Sequence, residues 1–383
     1  MRVRAWFLAA LLAASGNSMA ADWFRDRFID PEDGQFDMSN YLLDHRGALP
    51  VPIIITEPAI GYGGGIALSW FSESMRDIAA RAQQSGARPT PPNIYMLAAF
   101  GTENGTKGGA VGARMSFLDD TWRYRGGAMA MSINLDFYGI GGTLQVPVDK
   151  IGYNLKGSMV FNELTRRLGE SDQWLGLRWL YTNLDTKLDF GTNEDAGLTD
   201  QEVAKKGSGL GLTYVFDSRD NIFFTRKGVE ASVDAMFYSP RIGSDTTFQA
   251  YRAHAFAYIP AGDKAVVAVR ADGRTARGDV PFYQLPFIDM RGVAAARYQD
   301  ENVGVLELEG RYYVTPRWVV LAFLGAGRDW GRGTSFSDRG SIVSKGVGFR
   351  YVIAQRLGLS AGIDVAKGPD ESAFYIQMGN AWR

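Results

Sequence analysis

The sequence predicts an all-β protein: a transmembrane antiparallel β-barrel of about 16 strands with a long external loop folded back into it. Three observations lead there. From about residue 50 onward the chain is a regular series of two-faced segments separated by turn residues, and a period of two puts alternate side chains on opposite faces of a strand. The segments cluster near the roughly 9–11 residues that a tilted transmembrane strand requires. The chain also ends on such a segment. Phe374, Ile376, Met378 and Trp382 share one parity, Ala373, Tyr375, Gln377, Gly379 and Ala381 the other, and only Arg383 follows. A barrel's outer face meets lipid and its rim carries aromatics, so Trp382 is expected on the lipid side.

Composition agrees with this. The chain holds 46 Gly and 13% aromatic residues, and its mean hydropathy of −0.14 is what alternating lipid-facing and lumen-facing residues give. A net charge of −1 argues against a nucleic-acid surface. With no Cys there is no disulfide framework or thiolate site, and two His are too few for a His-based metal cluster. No cofactor is implied.

The elements follow in order. Met1-Arg2-Val3-Arg4, an apolar run over Ala5–Ala14 and the small-residue site Ser18-Met19-Ala20 read as a signal peptide over residues 1–20, with Ala21 as the mature N-terminus. Residues 21–49 form a short periplasmic tail, below the roughly 50 residues of a small domain. The barrel occupies residues 50–383. Its expected strands are 50–56, 60–71, 93–101, 108–117, 121–133, 152–163, 173–186, 207–216, 228–239, 246–258, 263–274, 302–313, 316–328, 344–354, 357–367 and 372–382. Ile66, Leu68 and Trp70 oppose Gly65, Ala67 and Ser69; Tyr153, Leu155, Met159 and Phe161 oppose Asn154, Lys156, Ser158 and Asn162. In each case the apolar set is expected to face lipid. Three connections are long. Arg76–Pro92 is polar and expected to be mobile, and Asp189–Gly207 reads as a charged external loop. Gly278–Asn302 carries Phe282, Tyr283, Leu285, Phe287, Ile288 and Met290, too apolar for a loop in water, so it should fold into the lumen or onto the rim.

This third connection holds the strongest functional signal. Arg291-Gly292 ends its apolar run, and the next strand puts Glu307, Glu309 and Arg311 on one face against Leu306, Leu308 and Tyr312. A guanidinium presents donors in a rigid fork matched to carboxylates. An in-folded Arg291 facing Glu309 or Glu307 therefore suggests a loop–lumen clamp, with Asp329 a more distant partner. The alternative is a solvated lumen arginine, and the residues alone leave both open.

Several motifs resemble those of the BamA/TamA-like bacterial surface antigen superfamily of outer-membrane barrels. Met290-Arg291-Gly292-Val293 resembles the family's sixth-loop motif, and Glu309-Gly310-Arg311 the Glu-x-Arg after it. Asp217-Ser218-Arg219-Asp220-Asn221 with Lys227-Gly228, Gly346-Val347-Gly348-Phe349-Arg350, Asp364-Val365-Ala366, and Glu57-Pro58 with Gly61-Tyr62-Gly63 resemble further family segments in the same order. Two departures stand out: Gly325 replaces an expected carboxylate, and Val293 an aromatic. No substrate-docking (POTRA) repeats precede the barrel in this sequence.

The resemblance implies a Gram-negative outer-membrane barrel that aids insertion or translocation of proteins or lipids through a weak seam between the first and last strands. The seam residues would be Pro50, Pro52, Gly379 and Trp382. Proline cannot donate a ladder bond and is tolerated mainly at sheet edges. The two prolines lie either within the first strand or just before it. Implied partners are outer-membrane lipid including lipopolysaccharide, a client outer-membrane or secreted protein, and the machinery that inserts the barrel itself; nucleic acid is not among them. The alternative is a passive or gated pore without an assembly role. An enzyme is not expected. Gly358-Leu359-Ser360-Ala361-Gly362 matches a hydrolase pattern, but the alternation runs straight through Ser360 where that motif needs a strand, a turn and a helix.

Overall fold

The computed structural model describes residues 18–85, 90–140, 150–189 and 201–382. It is a sixteen-stranded antiparallel sheet in strictly sequential order. The strands are β1 (Gly47–Ile55), β2 (Gly63–Phe71), β3 (Ile94–Thr102), β4 (Lys107–Phe117), β5 (Trp122–Phe137), β6 (Ile151–Arg167), β7 (Gln173–Asp189) and β8 (Gln201–Asp217). Then follow β9 (Gly228–Tyr238), β10 (Phe248–Pro260), β11 (Ala265–Gly278), β12 (Asn302–Tyr313), β13 (Trp318–Trp330), β14 (Ile342–Ala354), β15 (Leu359–Lys367) and β16 (Ser372–Met378). Every expected strand is present. The predicted leader lies, up to residue 17, outside the described residues; so do residues 190–200 of the charged loop, and Arg383.

Alternation places the two solvents. In β12, Leu306, Leu308 and Tyr312 are exposed on the outside while Glu307, Glu309 and Arg311 are buried in the lumen. The same outward row of large apolar residues recurs in Ile66, Leu68 and Trp70 of β2, Leu175 and Leu177 of β7, and Val343 and Val347 of β14. Such a belt around the outside of a barrel is costly in water and favourable in lipid.

One expectation is reversed in β6. Tyr153 and Leu155 face inward, buried with Phe137, Ile151, Met236, Tyr238 and Leu285, while Lys156 is exposed outside. Met159 and Phe161 share their parity, and Phe161 lies under the guanidinium groups of Arg125 and Arg178, which pair with buried Glu163. For Tyr153 and Leu155, at the loop end of the strand, the reason is height. β5 has 16 residues and β6, β7 and β8 have 17 each, whereas β16 has 7. At about 3.3 Å per residue, 17 residues extend about 56 Å along the strand, well past the lipid. Above the bilayer the outer face meets water, so polar residues turn out and apolar ones pack inside.

The chain terminus also departs from expectation. β16 stops at Met378, and Gly379 takes a left-handed turn at φ 76°. Phe374, Ile376 and Met378 do face outward, but Trp382 is 4% exposed and sits in the lumen with Phe224, Phe256, Tyr258, Tyr313 and Val319. The alternation breaks at Gly379 because that conformation suits glycine and redirects the chain.

The tail is ordered. It forms α1 (Ser18–Phe28) and α2 (Ser39–Asp44). The connection after β2, expected to be mobile, contains α3 (Met75–Ser85), whose Arg76 pairs with Asp44 at 2.6 Å. Between α1 and α2 the chain is clasped by Arg317, which follows β12 and is 1% exposed. Its guanidinium meets Asp30 at 2.6 Å, Asp37 at 2.8 Å, and Asp33. Met38 N donates to Ile353 O at 2.7 Å and Gln355 N to Asp37 Oδ2 at 2.9 Å. The segment therefore grips β14 and its following turn, then enters β1, on the far side of β16. It straps one end of the sheet to the other.

Arg317 beside Asp33 holds that carboxyl below its ordinary range. Burial opposes ionisation of Asp37, but Ser39, the Gln355 amide and Arg317 outweigh it and lower this carboxyl too. Depressed carboxyl values mean docking is favoured above roughly pH 4 and lost as pH falls through the lower folded values. Arg317→Ala is expected to leave the barrel folded while residues 29–46 become protease-sensitive at pH 7; acidification well below pH 4 should do the same to the wild type. Continued protection of the tail in the variant would show that the clasp is not what holds it.

Candidate functional site: a lumen clamp beside an unpaired seam

The loop between β11 and β12 descends into the lumen. Ile288, Met290 and Val293 are buried against Val303 and Val305 of β12. This burial carries Arg291, 7% exposed, among the inward carboxylates. Its Nη1 lies 2.8 Å from Glu309 Oε2 and donates to Asp364 Oδ2 at 2.9 Å, and its Nε lies 3.7 Å from Glu307 Oε1. The guanidinium stacks 3.5 Å from the centre of the Phe323 ring. Each carboxylate has a second cation: Arg270 on Glu307 at 2.7 Å, Arg311 on Glu309 at 2.7 Å, and Arg350 on Asp364. Arg350 makes a two-pronged pairing, with bonds of 2.6 and 2.9 Å to the two oxygens of Asp364. Buried charges at this density persist only as a paired network.

Glycines let the loop approach. Gly292 has φ 83°, and a Cβ there would meet Gly368 N at 3.0 Å and Ala366 Cβ at 3.1 Å. Its amide donates to Tyr375 Oη at 2.9 Å, and the Ser344 hydroxyl donates to Arg291 O. Gly325, where the resemblance implied a carboxylate, is crowded by Met290 and Glu307, and a Cβ on Gly327 would lie 2.6 Å from Ile288. Met290 thus fills the space such a side chain would need.

The lumen is also filled from the opposite end. The turn between β8 and β9 folds inward so that Phe224 and Thr225 are buried. Asn221 ties it together, accepting from the amides of Phe223 at 2.7 Å and Phe224 at 3.1 Å and donating to Leu357 O at 2.8 Å. Asn380 binds the same turn: its Oδ1 accepts from Thr225 N at 3.1 Å and its Nδ2 donates to Thr225 Oγ1 at 2.9 Å. Arg311 donates to Thr225 O at 3.0 Å and Asn380 Oδ1 at 3.3 Å. Arg311 and Glu309 therefore join the plug from one end to the loop from the other. Arg291 lies 5.9 Å from the Trp382 ring.

The sheet has two ends. β1 pairs with β2 and β16 with β15, and among the described residues no backbone ladder joins β1 to β16. Tyr62 stacks on Phe374 across the gap, with ring centres 5.4 Å apart. Pro50 and Pro52 lie inside β1, opposite Leu68 and Ile66. Gly379 and Trp382 have left the sheet and are not edge residues of the seam.

The structure thus brings Arg291, Gly292, Glu307 and Glu309 together. Asp329 is elsewhere, paired with Arg339 at 2.6 Å. Asp364 was missed as the third carboxylate, although its inward parity next to Arg350 on the neighbouring strand was the available signal. Arg317 with Asp30, Asp33 and Asp37 had no sequence signal, because nothing local links residue 317 to residue 30. His254 is a lumen residue, 3.1 Å from Glu230.

A lipid-facing belt, sequential antiparallel strands and a lumen entered by a loop from one end and a turn from the other define a transmembrane β-barrel of the bacterial outer-membrane type. The Omp85 superfamily domain model matches residues 108–289 of the chain. This agrees with the family resemblance read from the sequence, and with it the Gram-negative outer membrane as the protein's place; of the motifs that carried the resemblance, Asp217-Ser218-Arg219-Asp220-Asn221 with Lys227-Gly228 falls within the matched span. The fold is similar to that of BamA from Haemophilus ducreyi lacking POTRA domains 1-3, at TM-score 0.60 and 12% identity, covering 88% of this chain and 70% of that one. It is also similar to CdiB from Acinetobacter baumannii, at TM-score 0.54 and 12% identity over 86% of this chain and 59% of that one. CdiB from Escherichia coli gives TM-score 0.56 and 11% identity over 85% and 61%. The chain spans about six-tenths of either CdiB chain. No curated protein matches it in sequence.

Proposed function

We propose that this barrel works at its seam, admitting a client strand edge or disturbing the adjacent lipid so that protein or lipid can enter the outer membrane. The observation that carries this reading is the missing ladder between β1 and β16. An unpaired strand edge templates pairing with another strand. The prolines of β1 support it. A strand that keeps its ladder with β2 tolerates proline where the absent N–H points away from that ladder, which here is toward β16. Each lost donor forgoes about 0.5–1.5 kcal/mol of closure. β16, with 7 residues, is shorter than the roughly 9–11 that span a bilayer when tilted. Lipid beside it must thin or disorder. The Arg291 loop, anchored on β12 and β15, sets the shape of the sheet next to this edge.

The experiment is to delete the gene and quantify outer-membrane protein and lipid composition. Unchanged composition with normal growth would sink the reading. Because the chain has no Cys, Tyr62→Cys with Phe374→Cys offers a clean background for a bifunctional thiol crosslinker across the seam. Crosslinked protein should fail to restore the deletion phenotype, and the reduced or unlinked form should succeed. The in-folded loop and turn disfavour a pore: in planar bilayers the purified barrel should lack the large, stable conductance of a general porin, and such a conductance would revive the pore.

A further inference from the structure

We infer that Lys345 and Lys367 form a binding site on the lipid-facing surface for the phosphate of a phosphorylated glycolipid in the outer leaflet. The inference rests on the register and does not depend on the seam function. Lys345 of β14 and Lys367 of β15 stand directly opposite each other. Both are exposed, and both share the outward parity of Val343, Val347 and Val365. The cross-strand row continues as Leu324 on β13 and Ser372 on β16, so it contains two cations, one hydroxyl and no carboxylate. Like charges directly opposite on a sheet are destabilising. Neither lysine forms an ion pair among the described residues. Of the carboxylates nearest in sequence, Asp370 accepts from Arg297 at 3.2 Å and from Tyr298 Oη at 2.6 Å, and Glu371 lines a small cavity beside Gly292 and Arg297.

The position selects the ligand. The pair lies at the end of β14 and β15 that adjoins the in-folded loop, opposite the end where the N-terminal strap docks. On the next outward row toward the strap lie Val347, Val365 and Phe374, all lipid-exposed. From Lys345 to the aromatic residue Tyr351 the strand rises only about 20 Å before tilt, less than the roughly 25 Å apolar band of such barrels. That places the two ammonium groups, which have no carboxylate partner among the described residues, inside the outer edge of the apolar band, from where their stems can reach the headgroup. A ligand with a dianionic phosphate above and acyl chains below would satisfy both, with the Ser372 hydroxyl as a further donor. A soluble anion would satisfy the charges alone.

The test uses the full-length protein in detergent, with diphosphorylated lipid A as the probe, read by native mass spectrometry and by the temperature at which the heat-modified gel band converts. Wild type should retain one lipid A and convert at a higher temperature with it. Lys345→Gln with Lys367→Gln should bind at least roughly tenfold more weakly, since it removes both charge-assisted bonds. Without lipid this variant should be as stable as wild type or more so, because the repulsion is gone. Equal retention by the variant, equal binding of dephosphorylated lipid A, or the same stabilisation by inorganic phosphate alone would each overturn the site.

Discussion

Arg291→Ala is expected to convert the folded barrel to the unfolded gel band at a clearly lower temperature and to expose the Gly278–Asn302 loop to protease. Removing one member of a buried charge network typically costs about 3–5 kcal/mol. The lower end applies here, because Arg270, Arg311 and Arg350 remain on Glu307, Glu309 and Asp364. The variant also loses the contact with Phe323. Arg291→Lys separates charge from shape: it can keep one ion pair but not the flat stacking face, so it should fall between wild type and alanine. Arg291→Ala with an unchanged transition would mean that the loop is held by Ile288 and Met290 alone. Arg291→Glu should be worse than alanine, since it adds a fourth carboxylate to Glu307, Glu309 and Asp364.

Sequence reasoning reached the barrel, its strand number and the loop that enters it because these depend on local period and composition. Leu306, Glu307, Leu308 and Glu309 alternate, and no distant residue can change which of them share a face. It misread β6 because parity alone does not say which solvent lies on which side. Tyr153 and Leu155 are apolar whether they meet lipid or an interior, and only the height of the strand decides. It misread Trp382 because a single glycine, Gly379, ends the alternation three residues earlier. The pairing of Arg291 with Glu309 and Glu307 was legible, but the third carboxylate, Asp364, and its partner Arg350 were not, since they belong to strands that meet only through register. The Arg317 clasp was out of reach for the same reason: it joins Arg317 to Asp30, Asp33 and Asp37, more than 270 positions away in the sequence.

The reassigned terminus gives the sharpest remaining prediction. A lipid-facing rim Trp382 would tolerate replacement by alanine with little loss. A Trp382 packed against Phe256, Tyr258 and Val319 should cost about 3–5 kcal/mol, the usual range for truncating a buried tryptophan. Trp382→Ala should therefore lower the conversion temperature of the heat-modified band by an amount comparable to Arg291→Ala. Its effect should also depend on Arg291. The loop and the terminus meet through Glu309 and Arg311, and Arg291 faces the Trp382 ring. Residues sharing one network commonly couple by about 0.5–3 kcal/mol. In a double-mutant cycle the two substitutions together should cost less than the sum of each alone. Strict additivity would mean that the external loop and the final strand are independent. Coupling would mean that disturbing the loop reaches the end of β16, which is one side of the seam.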